Sequence, residues 1–334
     1  MNYPISNDIK ILSCALAYSK KHKDIELEFI TNDLCLKNIA KLFLPKVDSV
    51  VEEKDDYLGF KEVILNNEEM DYFYSNQDKN IYNLLTNEYL IVKTEDGDII
   101  DRLCWTDEGY RQLNYTGFYS HLFGNVKPKR KDPYQAMFCD SLINNKITMV
   151  KGPAGSGKTY LALAYLAHCL EKEKIDHLII FCNTIATRDS AKLGYYPGTR
   201  DEKLLDSQIG NLLASKLGSK EKVEELIADG KLFLLPMSDI RGYDTSGMKA
   251  GVYISEAQNM SIDLMKLALQ RIGEDSICII DGDFNAQVDD ENFAGHRNGM
   301  RKVSKVFRGE DIYGEVTLQH IYRSQIGKIA ENLK

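Results

Sequence analysis

No apolar stretch of this chain reaches the length of a membrane span, and no charged-then-apolar segment opens it. A membrane protein and a secreted protein with a leader are therefore not expected, and the cytoplasm is the default location. No C-x-x-C pair exists among the seven cysteines, and the six histidines do not stand at ligand spacing from them. A structural zinc site and a disulfide framework are not expected. Cys14, Cys35, Cys104, Cys139, Cys169, Cys182 and Cys278 read mostly as small core residues in a reducing compartment. Excess positive charge is also missing, since the formal net charge is −8. A nucleic-acid site must then be a local basic patch on an acidic background.

What is present is a globular composition, 43% hydrophobic and 28% charged over 334 residues, enough for two or three domains. One stretch organises the rest: Gly152-Pro153-Ala154-Gly155-Ser156-Gly157-Lys158-Thr159, which fits the phosphate-binding P-loop. Ile147 to Val150 before it reads as a buried strand. Tyr160 to Ala167 after it reads as an apolar helix. Glycines let the backbone close on phosphate oxygens, and consecutive N–H groups with the helix N-terminus supply positive potential. Lys158 is expected to reach the β- and γ-phosphates, the Thr159 hydroxyl to ligate Mg²⁺, and Tyr160 to complete the cofactor contacts.

Residues 129–334 alternate apolar strands and helical stretches, which predicts a parallel sheet covered on both faces. Expected strands are Ile147–Val150, Leu178–Cys182, Leu232–Leu235, Val252–Ile254 and Cys278–Ile280, with a late one over Glu315–His320. Ligands of such sheets bind at the carboxyl ends of the strands. Gln135, before the P-loop strand, could pair with both edges of adenine, or could be a surface helix residue. Val252 to Asn259 is an apolar strand ending in an acid. Glu256 there is placed to orient or deprotonate the attacking water. Ser255 precedes it where an aspartate normally holds the metal shell; its hydroxyl can bond a metal-bound water but brings no charge. Ile279 to Gln287 runs into acids and an amide. Asp283 and Gln287 are candidates to sense the γ-phosphate, and Asp281 could replace part of the charge missing at 255. Thr159, Ser255 and Asp283 form the expected metal set. Arg323, after the last strand, could approach the γ-phosphate of its own or a neighbouring subunit, or be a surface residue. Arg241 and Arg271 are further arginine candidates.

Residues 1–46 read as helix, strand (Ile25–Thr31) and helix (Leu34–Leu44). Asp8 and Asp33 stand before helical stretches, where an N-cap or a metal ligand would sit. Residues 47–128 read as a linker and a small β-rich module, with strands at Tyr57–Leu65 and Glu88–Lys93 and a hairpin at Asp96-Gly97. Its many aromatics suit a core, or base stacking. Lys127 to Lys131 is a basic linker able to touch a phosphate backbone.

These stretches together resemble the PhoH family of P-loop ATPases. The matching segments are Gly152–Thr159, Leu193 to Lys203, Ile240-Arg241-Gly242, Glu256-Ala257-Gln258-Asn259, Arg271 to Glu274, Gly282-Asp283 with Gln287, and Arg323-Ser324. Residues 1–46 resemble the C-terminal half of a PIN domain, in the PIN–PhoH order, with the N-terminal half absent. The resemblance implies an α/β, RecA-like P-loop NTPase domain behind a β-rich module and a partial PIN-like unit. It implies Mg-dependent ATP hydrolysis coupled to remodelling or unwinding of single-stranded RNA or DNA, and a homo-oligomer, as a hexameric ring. The sequence departs from the family at Ser255, where the pattern has Asp, and at Tyr243, where it has Arg. An ATP-binding switch with weak turnover is the alternative, and a PIN-type RNase a disfavoured one.

Overall fold

The structure, a computed structural model, describes residues 7–31, 33–48, 57–113, 117–182, 208–283 and 298–322. Its contacts divide the chain into two compact units, residues 1–56 and 57–334.

In the first unit, α1 (Asn7–Lys21) is followed by β1 (Phe29–Ile30), α2 (Leu34–Ala40) and β2 (Val47–Asp48). The two strands pair in parallel, Phe29 opposite Val47. The strand expected over Ile25–Thr31 shrinks to two residues because β2 offers only two partners. Leu12, Phe29, Leu36, Ala40 and Leu44 make a small core. Asp33 is the N-cap of α2, its carboxylate accepting from the Leu36 N–H at 2.7 Å.

The second unit begins with a four-stranded sheet. Its elements are β3 (Phe60–Ile64), α3 (Asn67–Tyr74), β4 (Tyr89–Lys93), β5 (Ile99–Thr106) and β6 (Gly109–Gln112). Asn66 and Glu69 close a reciprocal capping box on α3. The turn between β4 and β5 carries Gly97 at φ 84°, and the two strands pair antiparallel as the Asp-Gly signal predicts. The aromatics go largely inward: Phe73 and Tyr110 meet edge to face at 5.2 Å, and Trp105 packs on Tyr110 at 4.9 Å.

A hairpin of β7 (Phe118–Ser120) and β8 (Gly124–Val126) leads to α4 (Pro133–Asn144). The elements that follow are β9 (Ile147–Lys151), α5 (Lys158–Glu171), β10 (His177–Cys182), α6 (Gln208–Leu217), α7 (Lys220–Ala228) and β11 (Leu232–Pro236). The described fold ends with β12 (Ala250–Ile254), α8 (Ile262–Leu269), β13 (Ile277–Gly282), α9 (Gly299–Phe307) and β14 (Tyr313–Thr317). Six strands form one sheet in the order β11-β10-β12-β13-β9-β14, every pair parallel. Side chains alternate between its faces. Val150, Ile180, Tyr253 and Ile279 join the core under α4 and α5, while Met149, Ile179, Val252 and Ile280 join the one under α8 and α9. The expected late strand stops at Thr317. Leu318 still donates to the Lys151 carbonyl at 2.8 Å, but β9 then turns into the P-loop and leaves nothing to pair with.

The two sheets of this unit share one core. Phe60, Tyr89, Ile91 and Cys104 pack with Ala136, Met137 and Phe138 of α4. The chain at Leu58-Gly59 stitches them: Thr317 donates to the Leu58 carbonyl at 2.9 Å and Tyr89 to the Gly59 carbonyl at 3.0 Å. Gly59 sits at φ 83°, and a Cβ there would lie 1.8 Å from the Glu315 carbonyl oxygen, so no other residue fits. Arg111 adds a bidentate pair to the buried Asp140 at 2.7 and 2.8 Å. Among the described residues no helix is long and apolar enough to cross a membrane.

Candidate nucleotide site

The P-loop leaves the carboxyl end of β9. Gly152, Gly155 and Gly157 all take positive φ, at 137°, 85° and 97°. Gly152 also allows the return strand to pass, since a Cβ would lie 2.5 Å from the Leu318 carbonyl oxygen. Gly157 starts α5 with no side-chain cap, so the first amides of the helix have no side-chain acceptor. Such an end suits an anion. Lys158 donates from Nζ to the carbonyls of Gly152 at 2.6 Å and Pro153 at 3.2 Å, which holds the ammonium over the loop. The Ser156 hydroxyl is buried in the loop with no hydrogen-bond partner among the described residues.

Gln135 is brought to the P-loop, but its amide is engaged at both ends. It donates to the Ser156 carbonyl at 2.9 Å and accepts from the Lys129 N–H at 2.9 Å. It therefore ties α4 and the basic linker to the loop. Beside them, a cleft of about 680 Å³ is lined by Arg130, Lys131, Asp132, His320 and Tyr322. The Tyr322 amide donates to the Gly155 carbonyl at 2.9 Å, and its phenol to Asp132 at 2.5 Å.

The acidic side of the site comes from β12 and β13. Asp281 is 2% exposed and receives three donors. The Thr159 hydroxyl lies 3.2 Å away, the Tyr253 phenol 2.5 Å and the Glu256 N–H 2.9 Å. Burial first, and then the Asp281 carboxylate, push the Tyr253 phenol far above its ordinary value, so it stays a neutral donor. Glu256 turns the chain in the left-handed region at φ 54°. Its carboxylate accepts from the Gln258 amide at 2.6 Å. The same amide accepts from the Asp283 N–H at 3.3 Å, and the Gln258 carbonyl accepts from Asn298 at 2.6 Å. Gln258 thus latches the ends of β12 and β13 to the start of α9.

Lys158, Thr159, Ser255, Glu256 and Asp283 all lie at these strand ends. Gln287, Arg323 and the stretch Leu193 to Lys203 lie outside the described residues. Arg241 and Arg271 meet in a separate cleft of about 460 Å³ with Lys266, lined by no P-loop residue. Tyr253 and Asn298 were not singled out in the sequence. Strand parity carried a signal for Tyr253, which shares its face with Ser255 two residues on.

The donors available to a metal are hard oxygens: the Thr159 and Ser255 hydroxyls and the Asp281, Asp283 and Glu256 carboxylates. Among the described residues no cluster of three His, Cys, Asp or Glu could cage a metal unaided. This set fits Mg²⁺, which keeps waters and shares its shell with substrate phosphates.

Compared with known proteins, residues 125–332 match the PhoH-like protein family. The chain belongs to the PhoH family. A PhoH-like protein of Mycobacterium tuberculosis is 29% identical over 205 residues, covering 60% of this chain and 55% of that protein. Protein PhoH2 of Bacillus subtilis is 28% identical over 304 residues, covering 86% of this chain and 66% of that protein. Protein PhoH2 of Thermobispora bispora is 31% identical over 205 residues, covering 60% of the chain and 45% of that protein. The matched segments thus span about half to two thirds of these relatives. The PhoH match over residues 125–332 and the six-stranded parallel sheet within it together show a P-loop NTPase-type fold, suited to binding a nucleotide.

Proposed function

We propose that this PhoH-family chain hydrolyses ATP with Mg²⁺ and couples turnover to movement on single-stranded nucleic acid, RNA or DNA. The observation that carries the reading is the convergence of Lys158, Thr159, Asp281 and Glu256 at adjoining strand ends. A triphosphate on the P-loop amides would draw Lys158 from the Gly152 and Pro153 carbonyls toward its β- and γ-oxygens. Mg²⁺, held through the Thr159 hydroxyl and the acidic strand ends, would neutralise the phosphates. Glu256 would then take a proton from the attacking water. The aromatic cleft at Tyr322 lies beside Gly155, where it can receive the adenine base. The cleft of Arg241, Lys266 and Arg271, which Asp263 also lines, is a described surface that could take backbone phosphates. The proposed oligomer, a homo-hexameric ring, would let Arg323 act across a subunit boundary, and the cytoplasm is the compartment such a motor would occupy.

The test is ATP turnover with and without single-stranded RNA, with Lys158→Ala as control. Turnover that RNA stimulates and the control abolishes supports the motor. Tight ATP binding with no turnover favours the second reading, a nucleotide switch, for which the uncharged Ser255 is the supporting observation.

A further inference from the structure

The position directly after β12, where an acid belongs in the family pattern, carries Ser255. The structure suggests where the charge stands instead. Ile254 lies opposite Ile280 in the parallel register, so Ser255 and Asp281 leave their strands side by side. Neighbouring strands run about 4.8 Å apart, so a carboxylate moved from one to the other stays within reach of the same ion. β13 is also the strand next to β9: Asp281 pairs with Val150 and Gly282 with Lys151, one residue before the P-loop. The parity of the strand turns Asp281 toward α5, whose Thr159 hydroxyl contacts it directly at 3.2 Å.

The environment of Asp281 is that of a group awaiting a cation. The carboxylate is 2% exposed, and among the described residues no Lys, Arg or His forms an ion pair with it. A buried carboxylate without a counter-charge is costly even when hydrogen bonds hold it. The three donors around it nevertheless fix its rotamer from different elements: Thr159 from α5, Tyr253 from β12 and the Glu256 N–H from the turn after β12. A structural aspartate at this depth would be expected to find an arginine, as Asp140 finds Arg111 in the same unit.

We propose that Asp281 supplies the carboxylate of the Mg²⁺ shell in place of an acid at position 255, with Tyr253 as the positioning residue that fixes it. This rests on the ATP·Mg²⁺ reading above. It gives the charged role to Asp281 on β13 and leaves Ser255 only an uncharged part in metal binding.

The experiment uses the full chain saturated with ADP and titrated with Mn²⁺, free Mn²⁺ being followed by electron paramagnetic resonance. ADP affinity is measured separately in EDTA. Asp281→Asn is expected to weaken Mn²⁺ at least ~10-fold with the metal-free ADP affinity unchanged, and Tyr253→Phe to weaken it about 10-fold. Ser255→Ala, which removes only an uncharged oxygen, is expected to weaken it by less than Asp281→Asn does. Ser255→Asp added to Asp281→Asn is expected to restore most of the loss, because it returns a charge to the neighbouring strand end. Native Mn²⁺ affinity in Asp281→Asn, or a greater loss in Ser255→Ala, overturns the assignment while leaving the nucleotide reading intact. If Asp281→Asn does not fold, Tyr253→Phe decides: native affinity there overturns the proposal. A native chain that binds no ADP in EDTA overturns the nucleotide reading, and this assignment with it.

Discussion

Single residues at the strand ends do different work, and Glu256 shows how the difference can be measured. Its carboxylate accepts from Gln258, and its amide donates to Asp281, so its position is set from both sides. A glutamine there keeps the shape and can still accept from Gln258, but it cannot take a proton. Glu256→Gln is therefore expected to lower kcat by roughly 10²- to 10⁴-fold while ATP binds as before. Turnover and fluorescent-nucleotide binding measured on the same preparation check this. A variant that hydrolyses ATP at the native rate would remove Glu256 from the role of base. Asp33, by contrast, is an acid whose carboxylate holds a helix amide. The N-cap accounts for it, and Asp33→Ala is expected to cost about 1 kcal/mol of the first unit's stability. Hydrogen exchange of the α2 amides, with and without Mn²⁺, reads this out. A Mn²⁺-dependent protection lost in the variant would make Asp33 a ligand after all.

At the scale of elements, much could be read from the chain, and the reasons for success and failure are physical. The P-loop was legible because three glycines at fixed spacing have one common use, and all three take the positive φ that use requires. The strands of the parallel sheet were legible because burial on both faces makes them short apolar runs between helical stretches. Their ends were less so. β14 reaches only Thr317 because its partner β9 turns away at the P-loop, and a turn in one strand is not written in the sequence of another. The same limit applies to the site. Gln135 reads either as a partner of adenine or as a surface helix residue, yet it is buried. That the amide instead joins the Lys129 N–H to the Ser156 carbonyl depends on where the linker that follows the β7–β8 hairpin comes to lie. Tyr253 was hidden for the opposite reason: in an apolar strand a tyrosine reads as core, and only the aspartate on the next strand gives its hydroxyl a purpose.

At the scale of the molecule, burial of ionisable groups sets a pH dependence. Tyr253, Tyr89 and Tyr313 lie fully buried, and burial is the first cause pushing each phenol well above its ordinary 10.0. Burial likewise raises the Cys104, Cys139 and Cys278 thiols from 9.0 to about 12. A group whose pKa is raised by folding keeps its proton in the native state while the unfolded chain gives it up. The stabilisation is complete below the unfolded values and is lost as pH climbs toward the folded ones. Melting temperature should therefore fall steadily between pH 9 and pH 12. A melting temperature flat across that range would contradict the burial of these side chains. The same linkage leaves Cys104, Cys139, Cys169 and Cys278, buried among the described residues, as unreactive thiols at neutral pH, with Cys14 and Cys35 exposed to reagent.

The shared core makes a further demand on the whole molecule. The four-stranded sheet and the parallel sheet of residues 57–334 have separate strands but not separate interiors. Phe60, Tyr89, Ile91, Cys104, Phe118 and Val126 pack in the cluster that α4 and α5 bury against the parallel sheet. Lys151, the last residue of the P-loop strand, donates to the Tyr57 carbonyl and pairs with the buried Glu315. A fragment beginning at residue 129 would uncover one side of α4, leave Asp140 buried without Arg111 and remove the chain segment that bonds β14. Each uncovered large apolar side chain forfeits about 1.5–3 kcal/mol, and several at once exceed the margin by which domains are stable. Residues 129–334 alone are expected to show no cooperative thermal transition, whereas residues 57–334 are expected to melt in one step. The nucleotide-induced shift in melting temperature should follow the same division, because the loop that binds phosphate hangs from β9, whose last residue Lys151 bonds Tyr57 and whose neighbour β14 bonds Leu58, both absent from the shorter fragment. A 129–334 fragment that melts cooperatively at the temperature of the longer one would show that the parallel sheet carries its own core, and that the first sheet merely covers it.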